Sequence, residues 1–231
     1  MNPRMIRWIS VAGIFACAGA AQASVPWSNP NGAGSFFTYS GGLSDNGLFG
    51  NPVLINDSFV FTPSGYQATT QNLQSLTVTD RLQVDLTANV GQKFTMIRIR
   101  EFGGWSLTGV VGSSGSVQAS GSLQIVDFGG HGVVGPAPLV TNPVMPITTL
   151  NTSGQWDGTA LIDFTPILGA PFTHIRLVFS NTLGAASTQG ASAHIDKKLV
   201  DGSVFVDVLP SPGSGAVLVL GGLLAARRRR A

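Results

Sequence analysis

Chemistry has few places to reside in this chain. Of its eleven carboxylates only Glu101 is a glutamate, and there are three histidines and a single cysteine, Cys17. Paired aspartates could serve a glycosidase, and Asp85, Asp127, Asp157, Asp163, Asp196, Asp201 and Asp207 are available, but their spacing sets no two apart from ordinary turn and strand-end carboxylates. His131, His174 and His194 fall in different elements with no ligand-like interval between them, so neither a metal site nor a cofactor is expected. A G-x-S-x-G elbow, an H-E-x-x-H pair and a P-loop are all missing, which removes the usual warrants for serine hydrolase, zinc protease and nucleotide chemistry. The expectation is a protein that is not an enzyme. Flat rings remain: a pyranose face stacks on an exposed aromatic while polar neighbours take its hydroxyls. Tyr39, Trp105 and Trp156 are the candidate glycan contacts, with both tryptophans expected at loop-strand junctions beside glycines. Burial in a core is the simpler account of each tryptophan. Arg98 and Arg100 share one strand face and could grip an acidic polysaccharide, but cross-strand pairing with carboxylates explains them more simply.

The elements that would position these residues read as strands. Thr, Ser, Val and Phe are abundant, Glu and Lys are scarce, and charged residues make up only 10% of the chain, a balance that favours strands and turns. In "DRLQVDLTAN" Leu82, Val84, Leu86 and Ala88 fall on one face and Arg81, Gln83, Asp85 and Thr87 on the other, the period of a half-buried strand. In "KFTMIRIRE" Ile97 and Ile99 share a face with Thr95 and Glu101. Further runs are "SFFTYS", "LINDSFVFTP", "WSLTGVV", "SVQASGSLQIVD", "TALIDFTP", "THIRLVFSN", "SAHIDKK" and "SVFVDVLP". About ten strands punctuated by Gly, Pro, Asn and Asp predict an all-β fold, a two-sheet antiparallel β-sandwich of jelly-roll-like kind. The stretch "GGHGVVGPAPLVTNPVMP", with four prolines, predicts an irregular surface loop.

Charge is distributed unevenly. Six of the thirteen basic residues lie at the ends: Arg4, Arg7, Arg227, Arg228, Arg229 and Arg230. From Ser24 to Pro210 seven basic residues stand against eleven acidic ones, 7 − 11 = −4, so nucleic acid is not an expected partner despite a pI near 9.0. At the amino end "MNPRMIR", the apolar "WISVAGIFACAGA" and "AQA" have the three parts of a secretory signal peptide, residues 1–23, cut by signal peptidase after Ala23. The apolar part is thirteen residues long, where about twenty are needed to span a bilayer. Residues 24–208 then form the sandwich domain. The 209–231 segment begins with "LPSPG", continues through the apolar, helix-compatible "SGAVLVLGGLLAA" and ends on Arg227–Arg230. Thirteen helical residues cover roughly 20 Å of a hydrocarbon core about 30 Å thick. The arginines are membrane-stop residues that stay cytoplasmic by the positive-inside rule, leaving the body of the protein outside.

The order Pro210-Ser211-Pro212, apolar helix, arginine cluster resembles the PEP-CTERM protein-sorting domain of bacterial exosortase substrates. The resemblance covers about 22 residues at the carboxyl end and none of the sandwich. It implies a sorting motif at Pro210, Ser211 and Pro212, read by an exosortase-type membrane cysteine protease-transpeptidase that releases or attaches the domain outside the cell. Ser211 stands where the family usually carries glutamate, which leaves the class of sorting enzyme open. "LPSPG" also resembles the L-P-x-T-G signal of sortases, but Pro212 occupies the threonine position and has no amide hydrogen to offer. The expectation is thus an exported protein of the cell surface or extracellular matrix, held by the membrane during processing, with exopolysaccharide as a partner. A carbohydrate-binding module and an envelope hydrolase are the alternatives.

Overall fold

A computed structural model describes residues 23–198 and 202–210. The expected signal peptide through residue 22, the apolar helix, Ser211, Pro212, Arg227, Arg228, Arg229 and Arg230 lie outside the described residues. Every regular element described is a strand: β1 (Val25–Pro26), β2 (Gly32–Ala33), β3 (Phe37–Ser44), β4 (Val53–Ile55), β5 (Ser58–Phe61), β6 (Gln67–Gln71), β7 (Gln74–Ala88) and β8 (Phe94–Gly109). The second half continues with β9 (Gly115–Asp127), β10 (Gly132–Pro138), β11 (Val140–Asn142), β12 (Thr152–Asp163), β13 (His174–Ser187), β14 (Ala191–Lys197) and β15 (Val204–Pro210). They form two antiparallel sheets. One has seven strands in the order β1-β3-β7-β13-β9-β10, with β2 beside β3. The other has eight, in the order β11-β12-β8-β15-β5-β4, with β14 between β8 and β6. Both inner faces supply the core of an all-β sandwich.

Alternation explains the core directly. Along β13 every second residue from Ile175 to Ser187 is buried, and β7 contributes Leu82, Val84 and Leu86, all essentially inaccessible. At one end of the sandwich Phe36, Phe37, Phe59 and Phe94 meet with ring centroids 5.1 to 6.3 Å apart, at tilted or edge-on angles. Each such buried ring contributes about 1.5–3 kcal/mol by leaving water, and edge-on pairing adds to it.

The structure departs from the sequence expectations at three places, each for a local reason. "KFTMIRIRE" and "WSLTGVV" are one continuous strand, β8, which passes straight through Gly103 and Gly104. A Cβ on Gly103 would lie 2.0 Å from the Asp196 carbonyl oxygen and 2.2 Å from Trp156 Nε1, so this glycine marks close approach inside a strand rather than a turn. "LINDSFVFTP" is instead a hairpin, β4 and β5, turning on Asn56 and Asp57 with φ of 49° and 64°, the geometry of a two-residue hairpin turn. The proline-rich stretch expected as loop holds β10 and β11, which flank β9 and β12 at the sheet edges. Edge strands leave one side of the backbone unpaired and therefore tolerate proline, and the ladder shifts register between Val134 and Ala137, across Pro136. Strand β15 covers the expected run "SVFVDVLP" from its second residue to Pro210, which pairs with Phe94. Thr95 Oγ1 donates to the Pro210 carbonyl at 2.9 Å.

Strand β8 carries an unusual load of neighbours. One side pairs with β12 along most of its length; the other pairs first with β15, from Phe94 to Glu101, and then with β14, from Gly103 to Gly109. Lys197 stands opposite Gly103 and Val204 opposite Glu101, so a single residue of β8, Phe102, spans the gap that the chain crosses between β14 and β15. The Phe102 amide donates to Ser203 and its carbonyl accepts from Lys198.

Candidate functional site

At this junction the inward rows of four strands carry polar residues where their neighbours are apolar. Asp80 precedes Leu82 on β7, Glu101 follows Ile99 on β8, Asn181 follows Phe179 on β13 and Lys197 follows Ile195 on β14. All four are buried, with Glu101 and Asn181 at 0% and Lys197 and Asp80 at 1% exposure. Lys197 Nζ donates to Glu101 Oε1 at 2.5 Å and Asn181 Nδ2 donates to Glu101 Oε2 at 2.6 Å. One carboxyl group thus bridges an amine from the eight-stranded sheet and an amide from the seven-stranded sheet. The Asn181 Oδ1 atom is buried without a hydrogen-bond partner. Aromatic rings enclose the amine: Lys197 Nζ lies 4.9 Å from the Tyr66 centroid, 5.5 Å from Trp156 and 5.7 Å from Phe49.

Burial dominates the electrostatics. Removal from water pushes the Glu101 carboxyl above its ordinary range, while the Lys197 charge and the hydrogen bonds from Lys197 and Asn181 pull the other way without cancelling the shift. The same desolvation pushes the Lys197 amine down, opposed by Glu101. Both directions favour the neutral forms, a carboxylic acid beside a free amine. Tyr66 is pushed upward by burial and by the charge of Glu101, so its hydroxyl stays a donor, and it donates to the Asn181 carbonyl at 2.6 Å. Asp80 closes the cluster. Its Oδ1 accepts from the amides of Asn46 and Arg81, each at 2.8 Å, and its Oδ2 from those of Leu48 at 2.7 Å and Phe49 at 3.3 Å.

The residues singled out in the sequence lie elsewhere or play other parts. Trp156 is 2% exposed in the middle of β12, with Nε1 donating to the Asp196 carbonyl at 3.1 Å. A ring so placed cannot stack on a sugar, which corrects its reading as a glycan contact. Trp105 lies within β8, half-buried, and Tyr39 within β3, half-buried with its ring edge-on to Phe59 at 5.0 Å. The two belong to different sheets, and neither tryptophan stands at a loop-strand junction. Pro210 ends β15. Arg98 and Arg100 pair across strands as the simpler account predicts: both meet Asp207 Oδ2 at 2.9 Å, and Arg100 also covers the Phe205 ring at 4.9 Å. His174 packs against Phe128, His194 contacts Thr69 and Asp196, and no group of three metal-binding side chains forms among the described residues. His131 Nδ1 lies 2.8 Å from Asp127 Oδ2 and its ring stacks on Phe172. Phe172 lines an open cleft of about 820 Å³ that contains no carboxylate, histidine or cysteine.

Asp207 gives a pH dependence. Burial works to raise its carboxyl, but hydrogen bonds from Arg100, Ser58 and Arg98 and the Arg100 charge hold it below the ordinary 3.8. A depressed folded value means stability that is present above 3.8 and is lost as the pH falls below it. Asp207→Asn is therefore expected to flatten the acid limb of a plot of melting temperature against pH below 3.8. An unchanged acid limb would remove Asp207 from that account.

No family model matches this chain, and no curated protein matches it. Among solved structures it is similar to the VP2 subviral particle of infectious bursal disease virus, at 14% identity over 78% of this chain and 55% of the viral one, with a TM-score of 0.19. The chain thus spans about half of that viral protein, and a likeness this loose carries no conclusion about fold or activity.

Proposed function

We propose that this chain is an exported, non-enzymatic protein of a bacterial cell surface or extracellular matrix, delivered by an amino-terminal signal peptide and sorted by an exosortase-type enzyme acting on its carboxyl segment. The observation that carries the reading is the ordered tail: Pro210, Ser211 and Pro212, then the apolar stretch Ser214 to Ala226, then Arg227, Arg228, Arg229 and Arg230. It follows directly on a sandwich whose last described strand ends at Pro210. The chain also passes repeatedly from sheet to sheet, β7 to β8, β8 to β9, β10 to β11, β12 to β13 and β13 to β14, which supports a jelly-roll-like description. A carbohydrate-binding role draws less support, because Trp156 lies in the core and Trp105 and Tyr39 lie in different sheets.

Mass spectrometry of the mature protein from its native host tests the proposal. The expected product begins at Ser24 and ends near Ser211, free or carrying an attached group. A mature product that retains its arginine tail would overturn sorting, and one that retains Met1 would overturn export by a cleaved leader.

A further inference from the structure

The buried cluster has the composition of a reaction centre rather than of a simple ion pair. Buried ion pairs are costly, since each charge loses its hydration and an apolar pair of like volume often packs at least as stably. This one adds an amide, one of whose two polar atoms has no partner in either orientation, to a lysine and the only glutamate in the chain. The three groups are held together by one bridging carboxyl and walled by Tyr66, Trp156 and Phe49. We propose that Lys197 and Asn181 are joined by an intramolecular isopeptide bond that the folded protein makes in its own core, with Glu101 as the proton-transfer group.

The step balances without any co-reactant. Neutral Lys197 Nζ attacks Asn181 Cγ, forming a C–N bond, while the Glu101 carboxylic acid donates its proton to the amide oxygen. Interchange of the amide oxygen and nitrogen, which hydrogen-bond geometry alone assigns, places that oxygen against Glu101. Glu101 then accepts a proton from the attacking nitrogen. As the carbonyl re-forms, a proton reaches the departing Nδ2, the Cγ–Nδ2 bond breaks and ammonia leaves, with Glu101 again a carboxylic acid. An amine and a primary amide become a secondary amide and ammonia, and no redox change occurs. Desolvation pushes the amine toward its unprotonated, nucleophilic form and the acid toward its protonated form. The fold supplies what the same groups lack in water: both are held on one carboxyl, in a site from which solvent is excluded. The bond would tie the two sheets of a domain whose one cysteine, Cys17, lies in the expected leader, a role that disulfides fill in other exported proteins.

The test is tryptic mapping of the denatured full chain. Trypsin cuts after Arg176 and Lys198, and after Lys197 only if its amine is free. The expected product is the peptide 177–198, uncut at Lys197 and lighter than its sequence by one ammonia, with no fragments from single backbone breaks between Asn181 and Lys197. Release of peptide 177–197 at its full sequence mass overturns the proposal with no variant needed. Lys197→Arg should restore the sequence mass. If the ammonia is still missing in that variant, Asn181 has cyclised onto its own backbone and the proposal fails. Glu101→Gln, in whatever fraction folds, should return full cleavage after Lys197, and loss of ammonia at the parent level in it would remove Glu101 from the reaction. None of these readings depends on how the carboxyl tail is processed.

Discussion

Lys197→Met will lower the free energy of unfolding by about 3–5 kcal/mol, read from urea denaturation of the purified chain. Removing the amine leaves the Glu101 carboxyl at 0% exposure with Asn181 as its remaining polar partner. A buried carboxyl that loses a hydrogen-bond partner costs free energy in either protonation state. Methionine has nearly the volume of the lysine stem, so the change tests the polar contact rather than space. The double variant Lys197→Met with Glu101→Leu removes both ends of that contact and should recover part of the loss, because well-packed apolar side chains commonly match a buried polar pair, while the Asn181 amide loses its Glu101 partner. The part not recovered combines the unpaired Asn181 amide with loss of the covalent tie between Lys197 and Asn181, which closes a loop of about 15 residues and in the chain-entropy treatment of a cross-link is worth about 3 kcal/mol. A single variant as stable as the parent would contradict this account of the core.

Asp80→Ala should cost a similar amount, about 4 kcal/mol, by a different route. Here the partners are backbone amides and not a salt bridge: the carboxylate accepts from four, those of Asn46, Leu48, Phe49 and Arg81. Each amide that loses its acceptor and finds no water costs about 1–3 kcal/mol. The chain around Leu48 would then open to solvent and Phe49, wholly buried and edge-on to Tyr66 at 5.3 Å, would lose its seat. Asp80→Asn keeps one acceptor oxygen and should retain roughly half of the stability that alanine loses. Limited proteolysis should find a new cut between Asp45 and Gly50 in the alanine variant. An uncut segment with a stability change under about 1 kcal/mol would show that these amides find other partners.

The strands were legible in the sequence wherever one face met water. In "DRLQVDLTAN" the alternation names the buried residues Leu82, Val84 and Leu86 correctly, because the opposite face is polar. The same rule applied to "KFTMIRIRE" puts Glu101 in phase with Ile97 and Ile99, and the structure buries all three. In "THIRLVFSN" and "SAHIDKK" it puts Asn181 in phase with Phe179 and Lys197 in phase with Ile195. Each polar residue in an apolar row was thus a visible signal. What the sequence withholds is that these rows face one another: Lys197 meets Glu101 across 96 residues of chain and Asn181 meets it across 80. Such convergence depends on the pairing of β8 with β14 and on the facing of β8 by β13, neither of which is written in local pattern. The glycines misled for a related reason. Gly103 looks like punctuation in isolation and is a packing residue only once Trp156 and Asp196 are beside it. The hairpin at Asn56 and Asp57 was within reach, since residues that tolerate positive φ between two strand-like runs are a turn signal.

The two ends of the described chain leave from different sheets: β1 lies at the margin of the seven-stranded sheet, and β15 lies inside the eight-stranded one, along β8. A tug between those ends loads both layers at once. The Asn181-Glu101-Lys197 clasp joins those layers. In a molecule held by its tail in moving fluid, the clasp would act as a rivet.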